Sequence, residues 1–244
     1  NKKYSASFEP LLSGFSQVAF IDFDNLKKNI DENTSAIMLE PIQGEGGIRP
    51  FNLNFLENVR KLCDDNNILF FLDEVQTGFG RSGKLFAYEW ANFEPDIMAT
   101  AKGIGSGFPM GACFANNKSC IGMTKGMHGS TYGGNPLAIS VGKSVIDFML
   151  EKNFLKDVDE ISRYLWRKLK LLEKKHNEIV EVRGAGLLLG IKTKSSNIMI
   201  SKLFLENGLL TVPASDNVIR LAPPLIIKKK HVDEAIQIID TSLS

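Results

Sequence analysis

The sequence predicts an α/β fold in which a mixed, mostly parallel sheet is followed by a smaller α+β unit. Three observations lead there. Short apolar runs recur at residues 36–39, 68–72 and 97–101, each strand-sized and too brief for a helix. Between the first two runs, Leu53, Leu56, Val59, Leu62 and Cys63 repeat near a 3.6-residue period, so strand and helix alternate as in a sheet covered by helices. Beyond residue 176, closely spaced strand candidates replace that alternation.

Taken in order, Val18-Ala19-Phe20-Ile21 is a short strand candidate, and Asp24 can cap a polar helix reaching about Asn33. Residues 36–39 form a strand that ends in Glu40-Pro41. Asn52 caps the periodic helix, and the unbroken apolar run 68–72 predicts a strand buried on both faces. Residues 97–101 and 112–115 add two more strands. A helix over 135–150 carries Leu137, Val141, Val145, Ile146 and Met149 on its apolar side, and an amphipathic helix covers 154–176. Strands follow at 179–182, 187–191, 209–212 and 218–221, then a closing helix with Val232, Ala235, Ile236 and Ile239 on one side. The division falls near residue 148, giving units 1–147 and 148–244.

Composition narrows the function classes. The 244 residues are 43% hydrophobic and 23% charged, the balance of a packed globular chain. Twenty-nine basic against 28 acidic residues leave a net charge of +1, without the basic footprint that phosphate-backbone binding needs, so nucleic acid is not an expected partner. No apolar run approaches the roughly 20 residues that span a bilayer, and Asn1-Lys2-Lys3-Tyr4 has no signal-peptide core behind it. A soluble, cytoplasmic protein without a membrane partner is expected. Cys63, Cys113 and Cys120 match no metal spacing and read as reduced thiols, while His128, His176 and His231 are scattered, so no metal site is expected. The chain opens without Met into a loop-like stretch, residues 4–14, and reads as cut from a longer one.

Two strand ends carry chemistry. The run ending at Leu72 delivers Asp73, and the run ending at Ala101 delivers Lys102 into Gly103-Ile104-Gly105-Ser106-Gly107, a turn that lets backbone approach a bound group. Ligands of α/β sheets bind at this carboxyl edge. An Asp at a strand end is often a helix cap, and a Lys before glycines is usually a surface turn; together, however, they offer an acid and an amine. A lysine amine forms an imine with a carbonyl cofactor, and a carboxylate keeps a heteroaromatic nitrogen protonated, which implies pyridoxal 5'-phosphate. Neither Gly103–Phe108 nor Gly184–Leu189 has the glycine spacing of a dinucleotide fold, and no GxxxxGK[ST] loop occurs.

Five blocks in order, Glu40-Pro41-Ile42-Gln43-Gly44-Glu45-Gly46-Gly47, Asp73 to Arg81, Ala101-Lys102-Gly103, His128 to Pro136 and Arg220 to Leu225, resemble the successive motifs of class III aminotransferases. The resemblance covers essentially the whole chain. It implies a pyridoxal-phosphate-dependent fold type I transferase, here with an incomplete large domain and a small C-terminal one. Residue by residue, it assigns Lys102 the covalent link to the cofactor and the later proton transfer. It pairs Asp73 with the pyridine nitrogen, packs Val75 on the ring and sets Gln76 near the phenolic oxygen. Ser130 and Thr131 resemble the segment that reaches the cofactor phosphate of the neighbouring subunit, which implies a homodimer with shared sites. Arg220 corresponds to the arginine that takes the carboxylate of 2-oxoglutarate, and Glu45 to the glutamate that masks it while the amino donor is bound.

Within the family, residues 83–90, 208–214 and 216–221 look most like the branch that moves the δ-amino group of N2-acetylornithine to 2-oxoglutarate in arginine biosynthesis. Transaminases of ornithine, succinylornithine and 4-aminobutyrate share the same blocks and stay open as alternatives, as does a non-catalytic fragment. The family's phosphate-binding loop, ring-stacking aromatic and substrate arginine lie upstream of the segment matching residues 4–14. The expectation is therefore a piece of a protein roughly 150 residues longer at its N-terminus.

Overall fold

The computed structural model describes residues 5–244; residues 1–4, including the first residue of the expected opening loop, lie outside the described residues. The chain runs α1 (Phe23–Lys28), β1 (Ala36–Leu39), the small hairpin β2 (Ile42–Gln43) and β3 (Arg49–Pro50), α2 (Leu53–Asn66), β4 (Leu69–Asp73), β5 (Ile97–Thr100), β6 (Ala112–Ala115) and α3 (Pro136–Met149). It continues through α4 (Phe154–Lys175), β7 (Ile179–Ala185), β8 (Leu188–Thr193), α5 (Asn197–Glu206), β9 (Val212–Ala214), β10 (Val218–Leu221) and α6 (Lys229–Ser242).

The strand expected at residues 18–21 does not form. A strand needs a neighbouring edge for its N–H and C=O groups, and no described strand lies alongside. Instead the Asp22 N–H closes a turn onto Ala19 O at 3.2 Å, and Phe20 packs on Phe51 with ring centroids 4.4 Å apart. That turn also moves the cap of α1: Asp22, rather than Asp24, accepts the Asn25 N–H at 2.9 Å, and the helix stops at Lys28.

The first sheet has the order β1-β4-β5-β6, parallel except for β6, as the sequence predicts. Asn52 caps α2 by accepting the Phe55 N–H at 2.6 Å, and the helix lays Leu56, Val59 and Cys63 over Ile37, Phe70 and Leu72. Only that face of β4 is fully buried. Leu69, Phe71 and Asp73 are half-buried, and Met38, paired with Phe71, is 59% exposed, so the expectation of two buried faces is corrected.

The second sheet is antiparallel, in the order β7-β8-β10-β9. Leu169 and Leu172 of α4, Phe204 of α5 and Ile239 of α6 pack with Val182 and Ile191 into one core. Helix α5 was not anticipated, because Ile198 and Met199 are exposed apolar residues that blur its 3.6-residue stripe. The strand expected at 209–212 begins instead at Val212, since the Leu209 N–H is taken by Phe204 O at 2.8 Å in the helix's closing turn.

Two contacts lock the sheets together. Ile48, in the β2–β3 loop, is fully buried against Leu188 and Val218, worth about 1.5–3 kcal/mol of apolar burial. Arg81 donates to Pro223 O at 2.5 Å and Leu187 O at 3.2 Å, and accepts the Leu187 N–H on its own carbonyl at 3.0 Å. Among the described residues no helix is long and apolar enough to cross a membrane.

Candidate active site

Because β1, β4 and β5 are parallel, their carboxyl ends open on one edge. Leu39 pairs with Leu72 and Asp73 with Ala99, so Glu40, Asp73 and Lys102 follow three adjacent strand ends. Beside that edge lies a cavity of about 1060 Å³ lined by Val75, Gln76, Lys102 and Arg220, with Val141 and Val145 of α3 on its wall. Its size is that of small-molecule sites, which run to about 1,000 Å³. A second cavity of about 830 Å³, between Trp90, Tyr164 and Trp166, holds none of these groups.

Helix α3 falls within the expected 135–150, and Asn135 caps it by accepting the Ala138 N–H at 2.9 Å, with Pro136 in the first turn. Its apolar side is partly different. Leu137 is 63% exposed, whereas Ala138 and Gly142 are buried and Val141 and Val145 face the cavity.

Lys102 opens a short 3-10 turn, Lys102–Gly105, with φ at 45°, in the left-handed region where a side chain costs roughly 1–3 kcal/mol. Gly103 follows because a Cβ there would lie 2.7 Å from Phe79 Cβ; its bareness serves packing within the chain. Partial burial, and then the positive charge of Arg220, hold the Lys102 ammonium below the ordinary lysine range, against the opposing pull of Glu45, Asp73 and Glu40. The amine is thereby readier to act as a nucleophile.

Asp73 is half-buried at the end of β4, and its Oδ1 accepts the Val75 N–H at 2.9 Å, which fixes the turn into the cavity wall. Glu40, given no role by the sequence, sits beside it and accepts the Gly44 N–H at 2.9 Å; burial first, then the charge of Asp73, push its carboxyl upward. The signal was present, since Glu40 ends an apolar run just as Asp73 does. Glu74 likewise carries no role in the sequence reading. Fully buried, it accepts hydrogen bonds from Thr77 Oγ1, the Ala87 N–H at 2.9 Å and the Tyr88 N–H at 2.8 Å, and so ties down the loop carrying Val75 and Gln76.

Glu45 and Arg220 form an ion pair at 2.5 Å. The Arg220 side chain is 15% exposed and that of Glu45 50%, and the hydrogen bond from Arg220 draws the Glu45 carboxyl below its usual range. Gln76 bridges them, accepting from Arg220 at 3.1 Å and donating to Glu45 at 3.3 Å. Ser130 and Thr131 lie apart from this cluster, in an exposed loop before α3, where Ser130 Oγ accepts the Gly133 N–H at 2.8 Å. The structure thus gathers Lys102, Val75, Gln76, Glu45 and Arg220, sets Asp73 behind them and leaves Ser130 and Thr131 outside. An amine of loosened proton, a neighbouring carboxylate and a cavity of this size fit a carbonyl-bearing pyridine ring.

Comparison with known proteins agrees with this reading. The family model Aminotransferase class-III matches residues 2–243. The acetylornithine aminotransferase of Mesorhizobium japonicum is 48% identical over 235 residues, 96% of this chain and 59% of its own length, and that of Brucella melitensis is 48% identical over 99% of this chain and 60% of its own. Among solved structures, an acetylornithine aminotransferase from Elizabethkingia anophelis superposes with a TM-score of 0.89 at 34% identity, covering 95% of this chain and 63% of that one. An ornithine aminotransferase from Toxoplasma gondii gives 0.94 at 30% identity, covering all of this chain and 59% of that one. The chain therefore spans about 60% of the length of the curated relatives it matches.

Proposed function

The chain belongs to the class-III aminotransferase family, and on that premise we propose that it carries the lysine, the ring-nitrogen acid and the carboxylate gate of a transaminase. Class-III aminotransferases are pyridoxal-phosphate enzymes. When bound, the cofactor supplies an electron sink that lets the amino-bearing carbon of the donor release a proton. Lys102 Nζ would be the amine that holds the cofactor through its carbonyl group, with loss of water, and when free would carry that proton. Asp73 would accept the hydrogen bond of the ring nitrogen, Val75 would pack against the ring, and Gln76 would serve the phenolic oxygen. Ser130 and Thr131 serve the phosphate of a second subunit's cofactor in a homodimer.

Arg220 takes the carboxylate of 2-oxoglutarate, and Glu45 covers it while the amino donor is present, because an unpaired, largely buried guanidinium is costly. The donor is N2-acetyl-L-ornithine, giving N-acetylglutamate 5-semialdehyde and glutamate. Relatives at 48% identity bear the acetylornithine name, whereas solved ornithine aminotransferases of similar shape are 30% to 36% identical. One observation carries the reading: Lys102, Gln76 and Arg220, the last paired with Glu45, line a single cavity beside the strand end that bears Asp73. Incubation with pyridoxal phosphate, borohydride reduction and peptide mapping should place a pyridoxyl group on Lys102; an unlabelled Lys102 would point to a non-catalytic chain. Turnover of N-acetylornithine, ornithine and 4-aminobutyrate by a form extended at its N-terminus tests the donor, and a preference for free ornithine overturns the assignment.

A further inference from the structure

The ion pair between Glu45 and Arg220 is lopsided. Both Glu45 Oε1 and Gln76 Oε1 accept from the same nitrogen, Nη1, and among the described residues Nε and Nη2 of Arg220 donate to nothing. A guanidinium only donates and a carboxylate only accepts, so the Gln76 amide has one orientation that satisfies both neighbours, its oxygen to Arg220 and its nitrogen to Glu45. The two partners of Arg220 differ in how firmly they are held. Glu45 has a half-exposed side chain on a hairpin loop. Gln76 sits two residues after Glu74, whose carboxylate ties the loop to residues 77, 87 and 88, and it lies on the bare Cα of Gly44. A Cβ on Gly44 would fall 2.5 Å from Gln76 Cδ, so glycine is what admits the amide there.

We propose that Gln76 is the fixed half of the clamp on Arg220 and Glu45 the removable half, making Gln76 a specificity-determining residue for a dicarboxylate substrate. The inference rests on the reading of Arg220 as a carboxylate acceptor. When Glu45 swings away, the neutral amide stays hydrogen-bonded to Nη1 and holds the guanidinium plane, so that Nε and Nη2 meet the incoming carboxylate as a fork. A neutral group is required at this position. A fixed carboxylate would keep Arg220 paired in both half-reactions and compete with the anion.

Glutarate, a five-carbon dicarboxylate with no keto group to react, is the probe, titrated by calorimetry into the form extended at its N-terminus. Gln76→Glu should weaken glutarate by about tenfold or more, and Glu45→Gln should tighten it several-fold. The double variant Glu45→Gln/Gln76→Glu has the charge of the parent, yet should remain weak, because its anion cannot leave. A merely structural or net-charge effect would instead return the double variant to parental affinity, and that result overturns the proposal. Gly44→Ala, which displaces the amide without changing any charge, should weaken glutarate as well; parental affinity there, or a parent chain that takes up no glutarate, also overturns it. Borohydride labelling of Lys102 is read separately, so failure of the clamp is distinguishable from failure of the transaminase reading.

Discussion

Arg183 grips the carbonyl oxygen of Gly47 with two nitrogens, Nε at 2.9 Å and Nη2 at 2.6 Å. That grip, with the Ser215 N–H donating to Glu45 O at 3.2 Å and Ile48 buried beneath, pins the loop of the separate β2–β3 hairpin onto the second sheet. It is what carries Glu45 to Arg220. A lysine at 183 presents a single ammonium in place of the planar fork. Arg183→Lys should therefore cost about 1–2 kcal/mol in denaturant unfolding. A midpoint equal to the parent's would mean that the loop is held without the Arg183 fork.

The Glu45 carboxyl lies below its usual value chiefly because Arg220 donates to it. A depressed carboxyl contributes stability that is present above its unfolded value, near 4.5, and is lost as pH falls through the lower folded value. The melting temperature of the parent should accordingly exceed that of Glu45→Gln at neutral pH, and the two should converge as pH drops below about 4.5. The effect is small, since half of the Glu45 side chain is exposed. A gap that widened on acidification would contradict the pairing.

Lys102 offers the opposite sign. Its ammonium titrates below the ordinary 10.5 because of partial burial and, next, the charge of Arg220. Only the neutral amine attacks a carbonyl, so labelling by pyridoxal phosphate should reach half its maximum at a pH below that value. Removing the neighbouring cation with Arg220→Gln should move the half-labelling pH upward. An unmoved or lowered midpoint would show that Arg220 does not act on the amine.

Much of this arrangement was legible in the sequence because it rests on local chemistry. Asn52 caps the helix that follows it, and Asp73 and Lys102 stand where apolar strand runs stop. What local pattern cannot convey is distance along the chain. Glu45 and Arg220 are 175 residues apart, and their meeting was suggested by family resemblance, not periodicity. The β2–β3 hairpin has two residues per strand, too few to show alternation, and the burial of Ile48 depends on Leu188 and Val218. Residues 18–21 misled for the converse reason: their apolar run is real, but no described strand offers an edge to pair with.

Glu74 is the most exacting of the unassigned acids. Its carboxylate receives two backbone N–H groups and one hydroxyl in a fully buried position, and burial pushes its carboxyl upward while those donors pull it back. Glu74→Ala strands both the Ala87 and Tyr88 N–H groups, each worth about 1–3 kcal/mol when left unsatisfied, so a loss of roughly 2–5 kcal/mol is expected. Glu74→Gln keeps one acceptor oxygen but turns its NH2 toward the other backbone N–H, so it should cost about 1–3 kcal/mol, less than alanine. Because the same loop bears Gln76, the alanine variant should also loosen glutarate binding, whereas Asp96→Ala should not. Asp96, which accepts from Phe70 N, Arg60 and Asn116, sits at the opposite end of β5 and should lower stability alone. Equal losses of glutarate affinity in both variants would mean that general destabilisation, rather than the tether on residues 74–88, sets the geometry of the gate.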